Sequence, residues 1–442
     1  MVTDELISRL STVNPEIQID SGIMSKHPLG NNGMVAVYPQ TEAEIAGVLK
    51  FANDNVKKVA VIGGGTKRGF GGSEEESADI LLSMANFKGV VEHTIGDMTL
   101  TIKAGTPFKE VQDFLEGCNQ KIPLDPYTPK YATIGGVVAA NDSGPKRLGY
   151  GSARDAVIGM RVVYPDGTVI RTGGKTVKNV AGYDFNKLFI GSMGTLGVIS
   201  EITFKLRPLQ KYENLVFITF PDGSLEEVYA FTVRLLDTIM EPISLELFSP
   251  ALAEKLTGRS CYTLAVSFED VESAVKYQVE LVESLKPIKS IVTVKESKDA
   301  QEFWSAVANL PPSGVEDAME QGIRASVKLG VKNLDVIKVI KQTQLLQDTH
   351  HLLAESHGGL GHGIVRVYLT GAGDDVVSAI KALRAIAEAF GGNAVVTHLP
   401  FDLRQQIDVW GKKTAYFFLF EGIKSKIDPK RILNPKRFVG GI

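Results

Sequence analysis

Glycine has no Cβ, so a ligand or a second backbone can approach the main chain closely where it occurs beside a strand. Three stretches of this sequence place glycines next to apolar, strand-like runs. Ile62-Gly63-Gly64-Gly65-Thr66 ends the short apolar run Val59–Ile62. Thr133-Ile134-Gly135-Gly136 leads into a run that ends at Ala139 and Ala140. Ile190–Ile199, IGSMGTLGVI, has glycines at 191, 194 and 197 and continues into Val198–Phe204. Three such approaches in the first half of the chain point to one long ligand touched at several places. The 62–66 loop offers free backbone N–H groups at a strand end, which suits a phosphate. Lys67-Arg68 follows it and faces either phosphate or solvent.

Other phosphate and metal motifs fail on spacing. A GxGxxG fingerprint needs glycine at 68, where the chain has Arg68. Gly173-Gly174-Lys175-Thr176 would be a P-loop only with glycine at Val169. The two cysteines, Cys118 and Cys261, are far apart and form no CxxC. That excludes an iron–sulfur cluster or a cysteine zinc site held by this chain alone, and it fits a reducing compartment. Net charge is −3, which gives no electrostatic case for nucleic acid. The N-terminus carries acids early and lacks an apolar core, and no run of 18 apolar residues occurs, so a signal peptide and a membrane span are not expected.

The elements that must position these residues can be read from periodicity. At 442 residues, 44% hydrophobic and 22% charged, the chain has room for two or three domains. Val35–Pro39 reads as a strand, Thr41 with Glu44 as a capping box opening a helix to about Asn55, and Val59–Ile62 as a buried strand. Short strands follow at 80–83, 89–93 and 100–103, then a helix at 107–115. Asn141–Pro145 is a tight polar turn. Val157–Tyr164 and Thr168–Thr172 form a hairpin about Pro165-Asp166-Gly167, and a short helix at 183–189 leads to the third glycine stretch. Residues 215–295 and 322–398 each read β-α-β-β-α-β, the ferredoxin-like order. Ala308–Gly322, with Pro311-Pro312-Ser313-Gly314, reads as a linker or loop. Beyond Pro400 the chain reads as mostly helical.

Segment 123–208 resembles the FAD-binding domain of the vanillyl-alcohol-oxidase-like, PCMH-type flavoproteins. TIGGVVAANDSGPKRLGYGSARDAVIG, GGKTVKNVAGYD, IGSMGTLGVISEITFKLRP and the tail IDPKRILNPKRF are similar to the FAD-binding E subunit of bacterial glycolate oxidase. The resemblance implies an α+β chain in three parts. These are a PCMH-type FAD domain (1–211), a cap of two tandem ferredoxin-like units (212–398, split as 212–296 and 322–398) and a C-terminal segment (399–442) returning to the FAD domain. It assigns Ile62, Gly63, Gly64, Gly65 and Thr66 to the pyrophosphate. Thr133, Gly135, Gly136 and Ala139 pass along the cofactor, with Asn141, Ser143 and Gly144 as short polar groups beside it. Gly194, Thr195, Gly197, Val198 and Ile199 supply one end of the site. The first glycine loop has no histidine, so FAD is expected to be non-covalent. On this reading Gly135→Val should abolish FAD binding and spare the fold.

The same resemblance implies oxidation of a 2-hydroxy acid, glycolate or D-lactate, in a complex with a sister FAD subunit and an iron–sulfur subunit. The chain would be cytoplasmic and touch a membrane only through those partners. Related catalytic subunits carry HAGDGNLH in the cap. Here His357-Gly358-Gly359-Leu360-Gly361-His362-Gly363-Ile364 has Leu360, His362 and Ile364 where the acid, the asparagine and the second histidine stand. A second cluster, GEHGIG, is replaced by Gly391-Gly392-Asn393-Ala394-Val395. No metal set and no base for the hydroxyl proton emerges. His357, Arg366 and His398 are the catalytic candidates, while the group His350, His351, His357 and His362 otherwise reads as surface or packing residues. The degraded motif favours an electron-relay subunit over one that oxidises substrate itself.

Overall fold

The computed structural model describes residues 2–13, 16–20, 27–72, 77–175, 183–315 and 322–442. Residues 176–182 of the GGKTVKNVAGYD motif and residues 316–321 of the expected linker lie outside the described residues.

Two sheets build the first half. β1 (Gln18–Asp20), β2 (Asn32–Tyr38), β3 (Val59–Ile62) and β4 (Ser77–Ser83) form a four-stranded sheet in the order β1-β2-β4-β3. β4 runs parallel to both β2 and β3. The helix Glu42–Asp54 connects β2 to β3. Its capping box is as read, with the Thr41 hydroxyl accepting from the Glu44 N–H and the Glu44 carboxylate accepting from the Thr41 N–H. Ile45, Val48, Leu49 and Ala52 form its buried face.

The second sheet takes β5 (Val90–Thr94), β6 (Thr99–Lys103), β8 (Val157–Val163), β9 (Val169–Gly173) and β10 (Val198–Lys205), in the order β5-β6-β10-β8-β9. Between them in the chain, β7 (Gln120–Lys121) forms a two-stranded ribbon with β11 (Arg207–Pro208). The second glycine pair does not sit in extended chain. It opens a helix, Ile134–Ala140, whose N-cap Thr133 hydroxyl accepts from the Gly136 N–H.

The cap is one eight-stranded sheet. Its strands are β12 (Tyr212–Phe220), β13 (Ser244–Phe248), β14 (Tyr262–Asp270), β15 (Ile291–Glu296), β16 (Ile323–Gly330), β17 (Leu353–Gly359), β18 (Ile364–Gly371) and β19 (Asn393–His398). The order β15-β12-β14-β13-β17-β18-β16-β19 is two ferredoxin-like units joined through their second strands. At that seam Glu246 pairs with Gly359 and Phe248 with His357. Helices Leu225–Leu236, Glu272–Leu285, Asp335–His350 and Gly373–Ala389 cover one face around Phe231, Leu264, Val327 and Ile380.

Two cap helices escape the sequence reading, Pro250–Thr257 and Ser297–Ala308. They pack Leu252, Ala253, Phe303 and Trp304 on the other face of the first unit. The stretch read as a linker is anchored as well. The Gly314 N–H donates to the Thr66 carbonyl at 3.3 Å, and a Cβ at Gly314 would lie 2.2 Å from the Gly65 carbonyl oxygen. Beyond Pro400, helix is limited to Phe401–Arg404, Phe417–Ile427 and a 3-10 turn at Val439–Gly441, so "mostly helical" overstates it. Leu433 then pairs in parallel with Val59 at the edge of the first sheet. Among the described residues no helix is long and apolar enough to cross a membrane.

The halves are joined by buried charge. Glu213 and Glu269 sit directly opposite each other on β12 and β14, an arrangement that repels. Lys146 from the first half reaches both, at 2.7 and 2.8 Å, and Lys121 pairs with Glu269. Burial pushes Glu269 up, but Lys146 and Lys121 outweigh it and bring its pKa down to about 2. Its stabilising contribution is therefore present above its ordinary value of 4.5 and is lost as pH falls through about 2. Lys146→Met should leave two facing buried carboxylates and cost about 3–5 kcal/mol in denaturant unfolding at neutral pH. An unchanged unfolding midpoint would show that the joint does not depend on this ion pair.

Candidate functional site

The three glycine stretches meet around one cleft. A Cβ at Gly63 would lie 2.2 Å from the Thr133 hydroxyl oxygen, and one at Gly64 would lie 1.6 Å from the Tyr131 carbonyl oxygen. The first loop is therefore pressed against the backbone that starts the helix Ile134–Ala140. Gly65 turns the loop at φ +76, and the Arg68 N–H closes the turn on its carbonyl.

Two adjoining clefts, a larger and a smaller, both open to solvent, run along this contact. Ile62, Gly63, Gly64, Gly65 and Thr66 line the larger, and Thr133, Gly136 and Ala139 line both. Gly135, Gly194, Gly197, Val198 and Ile199 line the smaller. The combined cleft is walled largely by main chain, and a side chain at Gly136 would enter it. It fits an elongated cofactor with a phosphate-bearing middle.

Four of the expected residues do not line the cleft. Asn141 ends the helix in left-handed conformation at φ 46, and its buried side-chain oxygen has no hydrogen-bond partner among the described residues. Ser143 accepts from Arg147 at 2.8 Å, and the Gly144 N–H donates to Asp125. Thr195 lines a separate apolar cavity with Leu196, Phe420 and Phe438, and its carbonyl accepts from buried Lys424.

The sequence reading missed the contribution of the tail. The Asn434 side chain accepts from the Val61 N–H at 2.8 Å and donates to the Met193 carbonyl at 2.9 Å. It ties β3 to the third glycine stretch across the cleft, whose wall it shares with Met193. Lys67, Arg68 and Arg437 add three cations to the larger cavity. The NPKRF motif was the available signal: the resemblance returns this tail to the FAD domain but assigns none of its residues to the cleft.

One step beyond Lys67 the cleft meets the cap sheet. Lys67 pairs with Asp142 at 2.9 Å, and Asp142 faces Arg366 of β18 at 3.5 Å. Burial pushes Asp142 up, but Lys67 and Arg366 outweigh it and hold it below the usual carboxylate range. Arg366 stacks over the Tyr127 ring at 4.6 Å, and its buried Nε has no acceptor among the described residues. Lys328 is its register partner on β16, with its pKa lowered to about 8 by burial and by Arg366.

His357 is fully buried, so of the two alternatives, surface or packing, it takes the second. Its Nδ1 lies 2.6 Å from Glu246 and its Nε2 lies 2.9 Å from the Tyr368 hydroxyl. Burial, with Arg366, brings its pKa down to about 3, while burial raises Glu246 to about 8 against the pull of His362 and Arg366. Both shifts favour a neutral pair, in which Glu246 would donate to Nδ1. Leu360 lies in the apolar core. His362 is 3.9 Å from Glu246. Among the described residues no group of three or more His, Cys, Asp or Glu could hold a metal ion. His398 is buried beside Gly69, its pKa lowered to about 3 by burial and by Arg324. Thus His357, Arg366 and His398 all lie on strands of the second cap unit; in the buried cluster the Arg366 Nε, the Glu246 Oε2 and the His362 Nε2 are without hydrogen-bond partners among the described residues.

Two outcomes follow from this geometry. A Cβ at Gly135 would lie 2.7 Å from that of Ala104, so Gly135→Val strains the protein's own packing and should cost about 1–3 kcal/mol. The expectation that it spares the fold is corrected accordingly. Gly136→Val meets only the Thr133 hydroxyl, at 3.2 Å, and projects into the cleft. It should remove FAD uptake with little change in the apo protein's Tm, and full FAD occupancy would show the cleft is not the binding site.

The neutral pair gives a pH test. Between about 4.5 and about 8 the unfolded chain ionises Glu246 and the folded chain does not, so this residue makes stability fall with rising pH. Glu246→Gln keeps a donor to His357 and should remove that slope. An unchanged pH profile of unfolding would mean Glu246 is ionised in the fold.

Comparison with known proteins agrees with the cleft. Residues 34–173 match the family described as FAD binding domain. The chain is 30% identical over 303 residues to the mitochondrial D-lactate dehydrogenase [cytochrome] of Arabidopsis thaliana, covering 64% of this chain and 52% of that protein. It is 27% identical over 429 residues to the D-lactate dehydrogenase of Archaeoglobus fulgidus, covering 93% of each. It is 41% identical over 124 residues to the glycolate oxidase subunit GlcE of Escherichia coli, 27% of this chain and 35% of that one. Among solved structures, p-cresol methylhydroxylase with bound substrate superposes with a TM-score of 0.72 at 17% identity, over 98% of this chain and 96% of that one. Residues 34–173 are thus an FAD-binding domain, in a chain with the PCMH-type fold of the vanillyl-alcohol-oxidase-like flavoproteins.

Proposed function

We propose that this FAD-dependent oxidoreductase acts on the CH–OH group of a small 2-hydroxy acid, glycolate or D-lactate, giving the 2-oxo acid. We propose further that it works as one subunit of a cytoplasmic complex, with a sister flavoprotein and an iron–sulfur subunit, and touches a membrane only through them. The similarity to D-lactate dehydrogenases and to the GlcE subunit supports the substrate class and the complex.

The observation that carries the reading is the unbalanced charge at the junction. Buried Arg366 faces half-buried Lys328 across the sheet, the carboxylate beside Arg366, Asp142, is shared with Lys67, and the Arg366 Nε lacks an acceptor among the described residues. A substrate carboxylate would supply the missing negative charge. Bound FAD would supply the hydride acceptor. The backbone of Ile62–Thr66 would hold its diphosphate, non-covalently, with Gly135 and Gly136 alongside and Gly194–Ile199 at one end. Asn141, Ser143, Gly144 and Thr195 would act behind this wall by fixing its backbone.

The hydroxyl proton still needs an acceptor. Both His357 nitrogens are engaged, and burial with Arg366 brings its pKa down to about 3, which makes it a poor proton acceptor. This supports a relay role within the complex. A second reading, a self-sufficient dehydrogenase, is favoured by the match across 93% of the Archaeoglobus enzyme.

The holoprotein mixed anaerobically with glycolate or D-lactate decides between them. The flavin band of the isolated chain should bleach slowly or not at all, and quickly once the partner subunits are added. Oxalate, a non-oxidisable carboxylate, should shift the band, and Arg366→Gln should weaken that shift at least tenfold at unchanged FAD content. Rapid bleaching of the isolated chain would establish the self-sufficient reading, and no response to any of these acids would sink both.

A further inference from the structure

The tail places more positive charge on the cleft than the protein itself neutralises. Arg437 lines the larger cavity and donates to the backbone carbonyls of Lys67 and Arg68, at 3.1 and 3.3 Å. Arg68, on the same wall, donates to the carbonyls of Gly30 and Asn31 and to the side chain of Asn32. Behind them Arg404 donates to the Gly71 and Leu29 carbonyls. None of these three arginines pairs with a carboxylate of the described residues. Burial, then the neighbouring Arg404 and Arg68, pulls the Arg437 pKa down to about 9, the mark of a cation short of negative charge. Carbonyl oxygens orient the guanidinium groups without cancelling their charge.

The cavity that Arg437 and Arg68 wall is the one lined by Gly63, Gly64 and Gly65. The backbone alone binds a phosphate by partial charges, and a full charge beside it is much stronger in a partly dry cleft. We propose that Arg437, with Arg68, is an anion clamp for the cofactor diphosphate, and that FAD binding thereby fastens the segment 428–442 onto β3. This rests on the reading that the first glycine loop holds the diphosphate.

The coupling is mechanical as well as electrostatic. The segment already joins the sheet through Leu433 and Val59, and Asn434 bridges to Met193. Arg437 is the part of it that loses a repulsion when an anion arrives. Holding the anion and holding the tail are then one equilibrium read from two ends.

Apo protein titrated with FAD, with inorganic pyrophosphate and with riboflavin tests the clamp. Arg437→Met should bind FAD at least tenfold more weakly and lose pyrophosphate binding, while its affinity for riboflavin, which has no phosphate, stays within twofold. Arg437→Lys should recover part of the FAD affinity. Trypsin cleavage between 430 and 437 should slow at least fivefold when FAD or pyrophosphate is added to wild type, and much less in Arg437→Met. Wild-type FAD affinity in Arg437→Met, or an equal loss for riboflavin, would overturn the clamp. Wild-type protein that binds riboflavin as tightly as FAD would instead remove the diphosphate reading beneath it, and failure to bind any flavin would remove the cofactor cleft.

Discussion

The organisation of this molecule depends on a contact between two backbones. Gly63 and Gly64 sit where any side chain would collide with Tyr131 and Thr133. That contact sets the distance between the end of β3 and the start of the helix Ile134–Ala140, and so the width of the cleft. The glycines are required by the protein's own packing before any cofactor is considered. A cleft held in this way is preorganised, so little ordering is left for the ligand to bring about.

Two clusters of buried charge sit where the first half meets the cap, and they differ in balance. Lys121 and Lys146 face Glu213 and Glu269, two against two, with the Tyr150 hydroxyl completing the set. That cluster satisfies itself and acts as a joint. Around Arg366, the cations Lys67 and Lys328 share Asp142, while burial raises the pKa of Glu246 to about 8. Charge left over in a dry place costs stability unless something arrives to meet it. The first arrangement is what structure needs and the second is what binding needs.

Legibility from sequence followed the range of the interactions. The capping box at Thr41 and Glu44, the hairpin about Pro165-Asp166-Gly167 and the repeated β-α-β-β-α-β order are local, and they could be read directly. The short helices Pro250–Thr257 and Ser297–Ala308 carry apolar residues for a face that exists only once the sheet is formed, so nothing local announces that face. The glycine stretches marked the cleft, but which neighbour excludes each side chain is a tertiary fact, as Ala104 beside Gly135 shows. Arg366 was named without a partner. Asn434 and Arg437 lie more than 360 residues from the main chain they bond, in Val61 and Lys67. No pattern within a window could connect them.

The late position of Asn434 and Arg437 also orders the protein's manufacture. A nascent chain can lay down both sheets of the first half and then the whole cap while the wall supplied by residues 434 and 437 is still missing. Domains fold largely as they emerge during synthesis, so the glycine loop must wait, formed but open on one side, until the ribosome has passed the cap. Completion of the cleft is thereby deferred until residues 434 and 437 have been made, well after the glycine loop and the cap, and a product cut short before them would carry an incomplete wall.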